Sequence, residues 1–141
     1  MTTARELMTE GAECVRISDT LVTAAQRMRE LDVGAMPICG DDDKLAGIIT
    51  DRDIVVKCIA DGGDPRSTEV SRLAEGKPVT IGADDDVEEA FRTMTQYDVR
   101  RLPVIDGDRL VGMLSQADIA RNDPDLAGQI VSELASSPAN N

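Results

Sequence analysis

The sequence predicts a mixed α/β (α+β) chain made of two pseudo-symmetric halves, each running β-α-β-β-α behind a short helical turn. An internal repeat carries most of that expectation. Val33-Gly34-Ala35-Met36-Pro37-Ile38 returns 66 residues later as Val99-Arg100-Arg101-Leu102-Pro103-Val104. Lys44-Leu45-Ala46-Gly47-Ile48-Ile49-Thr50-Asp51-Arg52-Asp53-Ile54 returns 65 residues later as Arg109 to Ile119, so one loop residue has been dropped. An offset held over that length marks a duplicated structural unit. The second observation is periodicity, which switches between helical spacing and short apolar runs in the same order in both copies. The third is length: 141 residues suffice for one compact domain or for two small halves sharing a core.

The elements follow in order. Arg5 to Met8 forms a short helical turn ending near Gly11, and Cys14 to Ile17 is extended. Asp19 and Thr20 offer N-caps for a helix carrying Leu21, Ala24, Ala25, Met28 and Leu31, which Gly34 breaks. Ala35 to Cys39 and Leu45 to Ile49 read as strands joined through the turn Gly40-Asp41-Asp42-Asp43. Thr50 opens a second helix with Ile54, Val55, Cys58 and Ile59 as its apolar stripe and Gly62 as its stop. In the second copy, Val70, Leu73 and Ala74 make the short turn and Val79 to Ile81 the extended piece. Asp86 with Glu89 suggests a capping box for a helix bearing Val87, Ala90, Phe91 and Met94. Leu102 to Ile105 and Leu110 to Leu114 are strands, and Ser115 opens a helix that Pro124 ends. Asp61 to Ser67 has linker composition. The expected division is therefore 1–62, a linker at 63–69, 70–124, and a tail at 125–141. In that tail Leu126, Ile130 and Leu134 line a short amphipathic helix, and Ser136 to Asn141 should fray.

Composition narrows the function. A net charge of −12 repels phosphate backbones and anionic bilayers, so neither nucleic acid nor a membrane surface is expected as a partner. With no histidine there is no imidazole relay and no His-ligated metal. The first eight residues hold no apolar signal core, and no apolar run reaches the ~20 residues of a spanning helix, so a cytoplasmic protein is expected. Cys14, Cys39 and Cys58 form neither a CxxC pair nor a zinc-ligand set, and read as reduced, buried thiols. Asp41 to Asp43 and Asp84 to Asp86 do not have calcium-loop spacing; a solvated turn and a helix N-terminus explain them, so no metal is expected. No pair of carboxylates stands out for hydrolysis, and no catalytic residue is assigned.

The repeated heptads Gly47–Asp53 and Gly112–Asp118 carry the chemistry. Thr50 and Ser115 end a strand and begin a helix, where free backbone N–H groups favour an anion. Asp53 and Asp118, one turn later, can accept from vicinal hydroxyls, so the pairing suits a ribose phosphate. Ser/Thr-x-x-Asp is equally close to a capping box, which needs no ligand. Arg52 lies inside the first heptad, and Arg100 and Arg101 precede the second Pro-containing strand; they could attract an anion or pair with surface carboxylates. Arg100 and Arg101 correspond to Gly34 and Ala35, so the two copies differ in charge.

The duplicated β-α-β-β-α order, with Gly-h-h-[Thr/Ser]-x-x-Asp after the last strand of each copy (h apolar), resembles the CBS domain, and the tandem pair a Bateman module. The resemblance spans roughly residues 4–123 and, with no appended domain, looks like stand-alone two-CBS proteins. It implies a regulatory sensor rather than an enzyme. The ligand would be an adenine nucleotide or adenosyl compound (AMP, ADP, ATP or S-adenosylmethionine) held in clefts between the repeats. In CBS modules the residues matching Thr50, Asp53, Ser115 and Asp118 hold ribose and phosphate. The adenine slot would be aliphatic, from Val15, Ile17, Met36 and Ile38 in one copy and Ile81, Leu102 and Val104 in the other; plain core is the competing explanation. The resemblance also implies a homodimer formed through the helices. It places Cys14 and Cys39 on neighbouring elements, within reach of a disulfide that a reducing cytosol would oppose. A ligand-independent scaffold for a partner protein is the rival function.

Overall fold

The computed structural model describes residues 1–11, 13–74 and 78–136. In order it contains α1 (Ala4–Leu7), β1 (Thr9–Glu10), β2 (Val15–Arg16), α2 (Leu21–Leu31), β3 (Ala35–Cys39) and β4 (Leu45–Thr50). These are followed by α3 (Asp51–Asp53), running on as a π-helix over Ile54–Ile59, then β5 (Ile81–Gly82), α4 (Val87–Tyr97) and β6 (Arg101–Asp106). β7 (Arg109–Ser115), α5 (Gln116–Asn122) and α6 (Pro124–Ser136) complete it. The expected fraying at the C-terminus lies outside the described residues beyond Ser136, which is itself the last residue of α6.

Two compact bodies result. One comprises residues 12–78 and 108–110 and holds the sheet β2-β3-β4; the other comprises 1–11, 79–107 and 111 onward and holds β1-β7-β6-β5. In the first, β2 pairs parallel to β3 and β3 antiparallel to β4, giving the expected hairpin. Its core is Val15, Leu21, Ala24, Met28, Met36, Ile38, Ile49, Ile54, Cys58 and Val70. In the second, β5 pairs parallel to β6, and α4, α5 and α6 bury Phe91, Met94, Ile119, Leu126 and Ile130 with Leu102, Val104 and Leu114.

Packing divides the chain differently from the repeat. The lead segments are exchanged: Ala4 of the first copy is buried in the second body, and Val70 of the second copy in the first body. The conserved-looking position of glycine in both heptads follows from this exchange. A Cβ on Gly112 would stand 2.7 Å from Thr9 O and 2.5 Å from Met8 Sδ, and one on Gly47 would stand 3.0 Å from Ala74 Cβ. Met8 and Ala74 are repeat-equivalent. The β1–β7 pairing sets Glu10 opposite Gly112, so the lead segment can close down on the strand only where no side chain intervenes. Gly112→Val should therefore lose about 1–3 kcal/mol of stability, as overpacking does, in a denaturant titration.

Residues 64–69 are tied to the first body. Leu21 N donates to Thr68 O and Val22 N to Pro65 O, while the Asp64 carboxylate accepts from the Arg66 backbone and guanidinium. Those bonds hold the Asp64 carboxyl below its ordinary range.

Several local expectations change. The helix α2 ends at Asp32, not at Gly34: Asp32 is left-handed (φ 55°), and Val33 N donates to Met28 O. Asp98 ends α4 identically, with φ 52° and Val99 N on Met94 O. Aspartate tolerates this conformation because its short polar side chain bonds locally, so a glycine is not required. Asp86 caps α4 through Glu88 N at 3.0 Å, rather than in a box with Glu89. Of the stripe expected after Thr50, only Ile54 and Cys58 are buried; the π-helical winding leaves Val55, Val56 and Ile59 about half exposed. Cys14 and Cys39, expected as reduced thiols on composition, are joined in a disulfide, with Cα atoms 5.7 Å apart; Cys58 is free and buried. The parallel β2–β3 ladder brings the two segments side by side, with Val15 opposite Ile38 and Arg16 opposite Cys39.

Candidate functional site

Each heptad folds as a strand-to-helix junction closed by a reciprocal capping box. Thr50 Oγ1 accepts from Asp53 N at 3.0 Å, and Asp53 Oδ2 accepts from Thr50 N at 3.0 Å. Ser115 Oγ accepts from Asp118 N at 3.0 Å, and Asp118 Oδ2 accepts from Ser115 N at 2.9 Å. The hydroxyls act as acceptors here and retain their own O–H for donation. The remaining carboxylate oxygens are also engaged: Asp53 Oδ1 with Lys57 Nζ at 3.2 Å, and Asp118 Oδ1 with Arg121 Nη2. Asp118 is buried, whereas Asp53 is half-buried. A ribose would have to share or displace these cations.

The second body brings the expected residues furthest together. Arg100, Arg101 and Ser115 line a hollow of about 310 Å³ with Gln116, Ala117, Ala120, Ile130 and Leu134. Gln116 N donates to Arg100 O at 2.9 Å, which holds the β6 entry beside the start of α5. Arg100, Arg101, Ser115 and Gln116 thus border a hollow whose lining is mostly apolar, with Ile130 and Leu134 contributed by α6. Arg100 also borders a neighbouring hollow with Asp98, Gln116 and Glu133. At the first junction, Asp51 N donates to Gly34 O at 3.0 Å, the equivalent backbone bond, but Asp51 replaces Gln116 and Gly34 replaces Arg100. Arg52 is exposed there.

The proposed aliphatic slot residues lie mostly inside the cores. Val15, Met36 and Ile38 are buried in the first body, and Ile81, Leu102 and Val104 in the second; Ile17 alone of this set is exposed, at 45%. The partners Lys57 and Arg121 were not singled out from sequence, although their spacing of four and three residues from the motif aspartates is a helical signal. Neither was Gln116, whose weight emerges only beside Asp51.

The acidic clusters have structural partners. Asp43 pairs with Arg16, Asp84 with Arg5, and Asp85 Oδ2 accepts from Gly82 N at 2.9 Å. Among the described residues, no three of Cys, Asp and Glu lie together as a metal site.

The repeated strand-to-helix junctions agree with a family model: the CBS domain matches residues 4–59 and 70–125. The chain belongs to the CBS-domain family. Hypoxic response protein 1 of Mycobacterium tuberculosis is 49% identical over 127 residues, covering 90% of this chain and 89% of that protein. The crystal structure of Hypoxic Response Protein I, which carries two coordinated zinc ions, superposes with a TM-score of 0.81 over 86% of this CBS chain and 98% of that one. A hexameric CBS-CP12 protein from bloom-forming cyanobacteria is 31% identical with a TM-score of 0.73, covering 91% of this chain and 74% of that one. CBSX2 in complex with AMP has a TM-score of 0.76 over 90% of this chain and 99% of that one; at 22% identity the likeness is one of fold. The zinc belongs to the mycobacterial protein. This CBS pair contains no histidine.

Proposed function

We propose that this CBS pair is a regulatory sensor whose second copy takes an adenine nucleotide or related adenosyl compound, with occupancy biasing its shape or its contacts. The observation that carries the reading is the hollow in which Arg100, Arg101, Ser115 and Gln116 meet the apolar wall of α6. Two guanidinium groups and a hydroxyl suit a phosphate, and the aliphatic wall suits the face of a base or a ribose edge. The AMP complex of CBSX2 supports the ligand class at the level of the fold. Asp118 then accepts from ribose hydroxyls by exchanging its bond with Arg121, as Asp53 would with Lys57 in the first copy. Val15, Met36, Ile38, Ile81, Leu102 and Val104 act as the shell behind the site, with Ile17 able to touch a ligand. A ligand can shift only an equilibrium whose states it binds unequally, so regulation requires two states of different affinity. In this reading the protein is cytoplasmic and non-catalytic; among the described residues no helix is long and apolar enough to cross a membrane.

Thermal unfolding with AMP, ADP, ATP and S-adenosylmethionine tests the ligand class. A true ligand at 100-fold above its Kd adds about 2.7 kcal/mol of stability. No stabilisation by any of them would leave the second reading, a ligand-independent scaffold. One observation favours that reading: both motif aspartates are already satisfied without a ligand.

Both readings include a homodimer. The exposed Val55, Val56 and Ile59 form an apolar stripe on the π-helix of a strongly acidic chain, and the hexameric assembly of the CBS-CP12 protein lends support to self-association. Ile59→Asp places a charge in that stripe and is expected to convert dimer to monomer in light scattering at micromolar concentration. A monomeric parent protein would remove the claim.

A further inference from the structure

We infer that Asp51 keeps phosphate out of the first copy, so that each chain takes one phosphate-bearing nucleotide, at the second copy. The inference rests on the nucleotide reading above and adds a specificity-determining residue to it. The two junctions share their backbone: Asp51 N donates to Gly34 O at 3.0 Å, and Gln116 N donates to Arg100 O at 2.9 Å. They also share their capping boxes, so the hydroxyl and the motif carboxylate do not separate them. What differs is the two residues between hydroxyl and motif aspartate, Asp51-Arg52 against Gln116-Ala117, and the two across from them, Gly34-Ala35 against Arg100-Arg101.

In the first copy the Asp51 carboxylate folds back over the junction. Its Oδ1 accepts from Arg52 N at 2.8 Å, and its Oδ2 lies 3.2 Å from where a Cβ on Gly34 would stand. The carboxylate therefore occupies the space from which the Arg100 side chain departs in the second copy. A backbone donor at the helix start is already taken by an internal anion. The charged groups facing each junction point the same way. The first sets Asp51 and Asp53 against Arg52 and Lys57, with Lys57 already on Asp53. The second sets Asp118 against Arg100, Arg101 and Arg121, with Glu133 of α6 bordering Arg100 in the neighbouring hollow and accepting from Thr95 Oγ1. Asp98 also borders that hollow. A phosphate entering the first junction would meet a fixed carboxylate; the second has no carboxylate at that position, and Arg100 and Arg101 line the hollow beside it. Like charge at a few ångströms repels and a charge-assisted bond attracts, and either alone is worth about tenfold in affinity.

Calorimetric titration of AMP into the full chain, and into Asp51→Gln and Gln116→Asp variants, reads the effect. Each variant copies the residue of the other junction and leaves both capping boxes in place. The expected results are one AMP per chain in the parent protein, a second equivalent appearing in Asp51→Gln, and affinity falling at least tenfold in Gln116→Asp. Asp51→Asn, which removes the charge with a smaller side chain, should behave as Asp51→Gln. Two equal sites in the parent overturn the inference, as does an Asp51→Gln protein that still binds one AMP or a Gln116→Asp protein with unchanged affinity. No AMP bound by any of the proteins would overturn this inference, and no stabilisation by ADP, ATP or S-adenosylmethionine either would overturn the nucleotide reading itself.

Discussion

Replacing Cys14 and Cys39 together by serine lowers the unfolding free energy by about 3.5 kcal/mol, the entropy of closing a loop of this length in the unfolded chain. The disulfide spans 25 residues and encloses β2, α2 and β3, most of the elements that build the first body. Its loss frees the end of a two-residue strand, Val15–Arg16, held otherwise by its parallel pairing with β3 and by the bonds of Arg16 to Gly40 O and Asp43. The melting temperature should fall by about 10 °C, since a domain of this size moves roughly 3 °C for each kcal/mol. Thiol counting on the unfolded, non-reduced protein gives an independent check. One free thiol, Cys58, supports the bond, and three free thiols reject it. Reducing compartments keep such bonds open, so reductant should act as the serine substitutions do. The parent protein measured with and without reductant should reproduce the difference seen between the parent and the serine variant.

The second large effect concerns binding. Arg100→Ala with Arg101→Ala should weaken AMP at least tenfold, because each charge-assisted bond to phosphate contributes about 1.5–3 kcal/mol. Adenosine, which has no phosphate, should lose far less. That contrast separates a phosphate contact from a general loss of the hollow's shape, since Arg side chains also cover surface with their stems. Raising ionic strength should mimic part of the effect, as the two guanidinium groups lie at an open surface.

Much of the architecture was legible because the duplication made each copy a check on the other. Strands β3, β4, β6 and β7 and helices α2 and α4 fall where apolar spacing puts them. What stayed hidden depends on contacts between segments distant in the chain. The exchange of lead segments is one case: nothing local to Ala4 or Val70 tells which core will bury it. The Asp32 and Asp98 terminators are another, since glycine two residues beyond Asp32 is the stronger statistical signal but the aspartate takes the left-handed turn. The π-helical winding of Ile54–Ile59 rotates Val55 and Ile59 off the core, which a strict 3.6-residue spacing does not anticipate.

The candidate site was partly legible. The Thr50–Asp53 and Ser115–Asp118 pairs stood out by repetition, and the structure shows them in capping boxes. Arg100, Arg101 and Ser115 do share one hollow, but Ile130 and Leu134 enter it from a helix that sequence reading placed in the tail. The aliphatic slot residues could not be separated from core by sequence, because strands packed on one face show the same apolar pattern in either role.

The measurement that bears most directly on the central claim is equilibrium dialysis of labelled AMP against the full chain, run beside the Arg100→Ala, Arg101→Ala variant. Saturable binding of AMP by the parent, weakened at least tenfold in the variant, is the result this account predicts. Absence of saturable binding, or binding that the variant leaves unchanged, would contradict it.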